Sequence, residues 1–170
     1  MKLLSLCGIL PLAAMALSAD EFKSFKHPKP KFSVSYPADW KLSPVKEGMP
    51  FMASAPDDTA NVQVRTDAVR GKTSACEYLA KTEAGAEGGR SNLIPEDKRK
   101  VTAAQLQYMG VKEGCLAAYK IMVGKDEVLQ GSGVYISGKN VWVVIQTLQT
   151  AARERHAKGV GDIAKSFTTK

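Results

Sequence analysis

Residues 115–150, CLAAYKIMVGKDEVLQGSGVYISGKNVWVVIQTLQT, decide the fold. Within them 116–123, 128–136 and 141–150 are strand-like runs rich in β-branched and aromatic residues. The separators Gly124-Lys125-Asp126-Glu127 and Ser137-Gly138-Lys139-Asn140 have turn composition, so the three runs predict an antiparallel meander. Successive side chains of a strand point to opposite faces, which puts Val141, Val143 and Ile145 on one side and Trp142, Val144 and Leu148 on the other. Apolar residues on both sides predict a central strand that is covered twice. Gly131-Ser132-Gly133, inside the middle run, predicts a bulge or a close packing contact.

Working outward, FSVSYPADW (32–40) alternates cleanly: Phe32, Val34 and Tyr36 share one face, Ser33 and Ser35 the other. Pro37 ends that strand and Trp40 follows in the turn. Residues 51–53 and 61–65 read as two further strands, separated by the turn-rich Ala55-Pro56-Asp57-Asp58. Ser74 and Glu77 have capping-box spacing, predicting a helix from there to about Ala84 that stops at Gly85. Residues 85–100 are expected to be a polar, flexible connection. A final helix around 161–167 would cover part of the sheet through Ile163 and Phe167. The sum is an α+β sandwich on a mostly antiparallel sheet, with no internal repeat or boundary within 32–170.

A chain of 170 residues suits one domain with a core that needs no metal or disulfide lattice. Its first residues, Met1-Lys2 followed by LLSLCGILPLAAMAL and then Ser18-Ala19, have the pattern of a signal peptide, with cleavage after Ala19 or after Ser18. The alternative is an uncleaved anchor, although the run contains Pro11 and falls short of the ~20 residues a span needs. Lipid attachment at Cys7 fits poorly, because Leu6 is bulky for that position. Removal of 1–19 leaves 23 basic and 17 acidic residues, a net charge of +6, and two cysteines, Cys76 and Cys115. A periplasmic or secreted location makes a Cys76–Cys115 disulfide the expectation, with two separate buried thiols as the alternative. The cysteine spacing is not that of a redox CxxC site.

Catalytic constellations fail on inspection. His27 and His156 lie among prolines and charges respectively, and both read as solvated. Two isolated histidines do not make a zinc site. Gly71-Lys72-Thr73 lacks the upstream glycine of a phosphate loop, since Thr66 stands there. Asp57-Asp58 and Glu96-Asp97 lack calcium-loop spacing. Residues 20–31, DEFKSFKHPKPK, read as a basic extended arm in which Lys23, Lys26, Lys29 and Lys31 cluster beside Phe22 and Phe25. Export argues against nucleic acid, so the arm is expected to dock on an acidic protein or on a membrane surface, the alternative being a solvated leader.

Phe-x-Val-x-Tyr-Pro-x-x-Trp (Phe32, Val34, Tyr36, Pro37, Trp40), then FMASAPDD, NVQVRTD, a helix containing EYLAK, the meander and the closing IAKSF resemble the PsbP-like group, whose relatives include DcrB-type and Mog-type proteins. The likeness covers residues 30–168 and implies an α/β/α sandwich with a central, mostly antiparallel sheet flanked by helices. It also implies a non-enzymatic protein that binds or stabilises others. It transfers no metal-associated histidine, and Phe32, Tyr36, Pro37 and Trp40 are expected to be structural. The division is therefore a signal peptide (1–19), a basic arm (20–31) and a PsbP-like domain (32–170). The expected function is a monomeric, cofactor-free exported protein that assembles or stabilises an envelope protein complex. The alternatives are a small-molecule or lipid carrier with a groove between sheet and helix and, third, a secreted hydrolase.

Overall fold

Four consecutive side chains, Val141 to Val144, cannot all leave water unless both faces of their strand are covered, and the fold supplies both covers. The computed structural model describes residues 21–69, 71–87 and 94–170. In chain order its elements are β1 (Phe22–Pro28), β2 (Lys31–Pro37), β3 (Lys41–Leu42), β4 (Phe51–Ser54), β5 (Ala60–Ala68), α1 (Ala75–Glu87), β6 (Ile94–Lys100), α2 (Ala103–Met109), β7 (Glu113–Val123), β8 (Asp126–Ser137), β9 (Asn140–Gln149) and α3 (Arg153–Ser166). Seven strands form one sheet in the order β3-β4-β5-β9-β8-β7-β6, and every pairing in it is antiparallel. β9 is its middle strand, between β5 and β8. β1 and β2 form a separate antiparallel hairpin.

One sheet face packs under α1, where Ala75 and Leu79 meet Cys115, Val134, Ile136, Val141 and Val143. The opposite face carries Val62, Val64, Tyr135, Trp142, Val144 and Leu148. It is covered by α3, through Val160 and Ile163, by Met109 of α2, and by Phe32, Val34 and Tyr36 of β2. The alternation read for residues 141–148 therefore matches the two cores, and the helices flank a mostly antiparallel sheet. A fully buried side chain of this size contributes about 1.5–3 kcal/mol, so β9 alone is a large part of what holds the layers together.

Several boundaries differ from the sequence expectations. The capping box at α1 is present: Glu77 N–H donates to Ser74 Oγ (3.2 Å), and Ser74 N–H donates to Glu77 Oε2 (2.8 Å). The helix nevertheless continues through Gly85 to Glu87, because a glycine inside a helix costs only about 1 kcal/mol and packing on the sheet overrides it. Residues 94–100 are not a connection but β6, the edge strand beside β7. Its sequence, IPEDKRK, has the proline and charges that edge strands carry, and its register shifts between Pro95 and Asp97. The remainder of that expected connection, 88–93, lies outside the described residues, as does the expected signal peptide, 1–19. α3 begins eight residues earlier than expected and ends at Ser166, so Phe167 is buried just beyond the helix rather than on it. α2 carries a Thr102–Gln105 capping box and ends at Gly110, whose φ of 75° is the left-handed stop that favours glycine.

No bulge interrupts β8 at Gly131-Ser132-Gly133, since its register with β7 and β9 is continuous there. The close-packing reading holds at Gly133. A Cβ there would lie 2.7 Å from Tyr135 Oη and 2.9 Å from its Cζ. Tyr135 is buried and stacked on Phe167 at 5.4 Å, so the ring cannot move aside freely. Gly133→Ala should therefore lower unfolding stability by about 1–3 kcal/mol in denaturant titration. Gly131→Ala, whose nearest neighbour would be Gln146 at 3.6 Å, should cost clearly less. Equal effects of the two substitutions would show that Tyr135 does not set the requirement.

Candidate functional site

The lysine-rich segment is extended, as expected, but it does not stand apart from the domain. β1 pairs with β2 along its whole length, from Phe22↔Pro37 to Pro28↔Lys31. Phe25 and His27 alternate with Ser24, Lys26 and Pro28, which gives β1 an inward face. The Phe25 ring lies 5.2 Å from Phe51 and 5.9 Å from Phe32, and the His27 ring stacks on Phe32 at 5.1 Å. Of the prolines that suggested a free arm in the sequence, Pro28 ends β1 and Pro30 lies in the hairpin turn. Lys23, Lys26, Lys29 and Lys31 are all exposed. They are held on one anchored hairpin, with the Lys23 ammonium donating to the Ala38 carbonyl at 2.9 Å.

At the turn end of this hairpin lies a cavity of about 400 Å³. Lys26, His27 and Lys31 line it from the hairpin and Lys170 from the end of the chain, around Phe32 and Ser33. The two walls are tied by backbone bonds: Ser33 N–H donates to the Thr168 carbonyl at 2.7 Å, and Thr168 N–H returns to the Ser33 carbonyl at 3.1 Å. His27 is half-buried rather than solvated. Its Nδ1 lies 3.1 Å from the Pro30 carbonyl, which can only accept, so Nδ1 is the donor in that bond.

His156 is also not solvated, its side chain being 15% exposed. Its Nε2 lies 3.0 and 3.2 Å from the two carboxylate oxygens of Asp57, and its ring meets the edge of the buried Trp40 at 6.1 Å. Asp57 also accepts from Thr59 Oγ1 at 2.7 Å and pairs with Arg155 Nη2 at 3.3 Å. The Thr59 hydroxyl, and after it His156, hold the Asp57 carboxyl far below the ordinary carboxylate range. This cluster clasps the β4–β5 turn to the first turn of α3. Both of these contacts of His156 Nε2 run to the Asp57 carboxylate, so the pair ties the turn to the helix. Among the described residues no three His, Cys, Asp or Glu side chains converge as a metal site would require.

The motif residues lie in the core: Phe32, Tyr36 and Trp40 are buried, Pro37 ends β2, and Gly159 of α3 packs against the Trp40 indole. On the far face Cys76, in the first turn of α1, is disulfide-bonded to Cys115 of β7, with Cα atoms 5.1 Å apart. Tyr78 Oη adds a second tie from α1, donating to Asp67 Oδ2 of β5 at 2.6 Å. Partial burial, and then that carboxylate, push the Tyr78 phenol up to about 12.

Two outcomes follow from these ties. The Asp57 carboxyl has a folded-state pKa below its ordinary value of 3.8, so its ionised form stabilises the fold at neutral pH and that contribution fades as pH falls through and below this value. Asp57→Asn should lower the melting temperature at pH 7 and make it less sensitive to pH below 4; parallel curves for the two proteins would contradict the clasp. The disulfide should leave no alkylatable thiol at Cys76 or Cys115 until the protein is reduced. Its closed loop, with a sequence separation of 39, should make reduction cost about 4 kcal/mol of stability. Two free thiols by mass in the native protein would refute it.

No family model and no curated protein matches this sequence. Solved structures do match. PsbP of the cyanobacterium Synechocystis sp. PCC 6803 superposes with a TM-score of 0.64 at 13% identity, covering 96% of this chain and 97% of that one. LpqN of Mycobacterium tuberculosis, described as involved in cell envelope biogenesis, gives 0.57 at 14% identity over 89% and 86%. A Bacteroides thetaiotaomicron protein gives 0.59 at 16% identity, over 87% of this chain but 48% of its own. At these identities the likeness is one of fold. This chain therefore has an α+β sandwich fold similar to that of PsbP and LpqN.

Proposed function

We propose that this protein is an exported, non-enzymatic binding module that docks its basic hairpin on an acidic protein surface of the cell envelope and helps a complex to assemble or persist there. The observation that carries this reading is the exposure of Lys23, Lys26, Lys29 and Lys31 on a hairpin fixed in the aromatic core through Phe25 and Phe32, with Lys26 and Lys31 on the outward side, Lys29 in the turn and Lys23 at the open end. A flexible tail loses conformational entropy when it binds, whereas an anchored hairpin presents its charges already in place. Phe22, 39% exposed beside Lys23, adds an apolar contact at the start of the hairpin. A disulfide suits an oxidising compartment, and the described envelope role of LpqN is in keeping with such a location.

Electrostatic docking makes two demands on binding to a purified partner. Affinity should fall steeply with salt, because the screening length is about 10 Å at 0.1 M ionic strength. Replacing the four lysines by glutamine should weaken binding by about 1–4 kcal/mol in total, the range for four exposed pairs. Isothermal titration at two salt concentrations checks both; affinity unchanged by salt and by the quadruple substitution would reject the docking face.

A further inference from the structure

We propose that the cavity at the turn end of the hairpin is a binding site for a phosphate group, carried by a lipid headgroup or by a soluble phosphate ester. Lys26, Lys31, Lys170 and His27 all belong to its lining, which includes no acidic side chain. Three cations around one hollow repel one another and leave a positive potential that an oxyanion relieves. A phosphate, with up to two charges and three or more acceptor oxygens, neutralises more of that potential than a carboxylate does and can accept from several ammonium groups at once.

The backbone around the hollow is held in place. Lys170 is placed by the Ser33–Thr168 backbone pair, by the Thr169 N–H bond to the Met109 carbonyl at 2.8 Å, and by its own passage over Gly110. A Cβ on Gly110 would lie 2.9 Å from Lys170 Cγ, so the glycine leaves room for the lysine stem to cross. The Pro30 carbonyl holds the His27 ring in place through Nδ1. Phe32, stacked under His27, supplies an apolar floor. At about 400 Å³ the hollow exceeds a bare phosphate, which leaves space for the first atoms of an ester group.

This site is separable from the protein-docking reading. Lys23 and Lys29 belong to the docking face but do not line the cavity, whereas His27 and Lys170 line the cavity and were not assigned to that face. The test is a titration of the isotopically labelled protein with sn-glycerol 3-phosphate, followed through backbone amide shifts. Saturable shifts are expected at residues 26–33 and 168–170. In the variant K26Q/K170Q the affinity should drop at least about fivefold while the rest of the amide spectrum stays in place. K23Q/K29Q should bind the ester as the parent protein does, even where it loses a protein partner. Vesicles of phosphatidylglycerol that compete for the same shifts, with phosphatidylcholine vesicles inert, would make the source a lipid headgroup. Absence of such competition would make it a soluble ester. Shifts that never saturate, or an affinity the same in K26Q/K170Q as in the parent, would overturn the proposal.

Discussion

Phe167 sits just past the end of α3, fully buried, with its ring 5.9 Å from Phe32 of β2, 5.4 Å from Tyr135 of β8 and 6.5 Å from Trp142 of β9. It thereby joins the hairpin, the sheet and the last helix at one point. Its neighbours repeat the connection in polar form: Ser166 Oγ accepts from Ser35 N–H at 2.8 Å, and Thr168 pairs with Ser33. Loss of a buried phenylalanine side chain typically costs 3–5 kcal/mol. Here it would also loosen the hairpin, because Phe32 packs against this ring.

The two sides of the sheet are secured by different means. The α1 side relies on a covalent link and a hydrogen bond, Cys76–Cys115 and Tyr78–Asp67, around a smaller apolar cluster. The hairpin side relies on aromatic packing and on the Asp57–His156 clasp, which pins the start of α3 as Phe167 pins its end. α3 is thus held at both ends, and the hairpin beside it inherits that rigidity. A rigid framework that displays a charged edge is what a binding module needs.

The sequence was most legible where burial imposes a period. β9 could be read residue by residue because apolar side chains occupy both faces of a strand of known geometry, and Phe32, Val34 and Tyr36 alternate as cleanly. The Ser74–Glu77 cap and the Cys76–Cys115 pair were also accessible, one as a local pattern and the other because two cysteines remain once 1–19 are set aside. β6 was not, since an edge strand needs no apolar face and IPEDKRK has the composition of a loop. β1 was hidden by its lysines and flanking prolines, although Phe25 and His27 at alternate positions carried the signal. The candidate site was half visible. Its lysines stand out by local density, but Lys170 reaches them through tertiary contact alone, and Asp57 meets His156 across 99 residues. Neither pairing leaves a mark in local spacing.

The account stands on the hairpin being the face that meets a partner, and site-specific photo-crosslinking in the producing cell tests that most directly. A crosslinking residue would replace Lys29, at the hairpin turn, and in a separate strain Lys81, exposed on α1 across the sheet. The account predicts one discrete adduct of constant mass from position 29, diminished when the other hairpin lysines are neutralised, and none from position 81. Adducts of equal yield from both positions, or an adduct from position 81 alone, would contradict it.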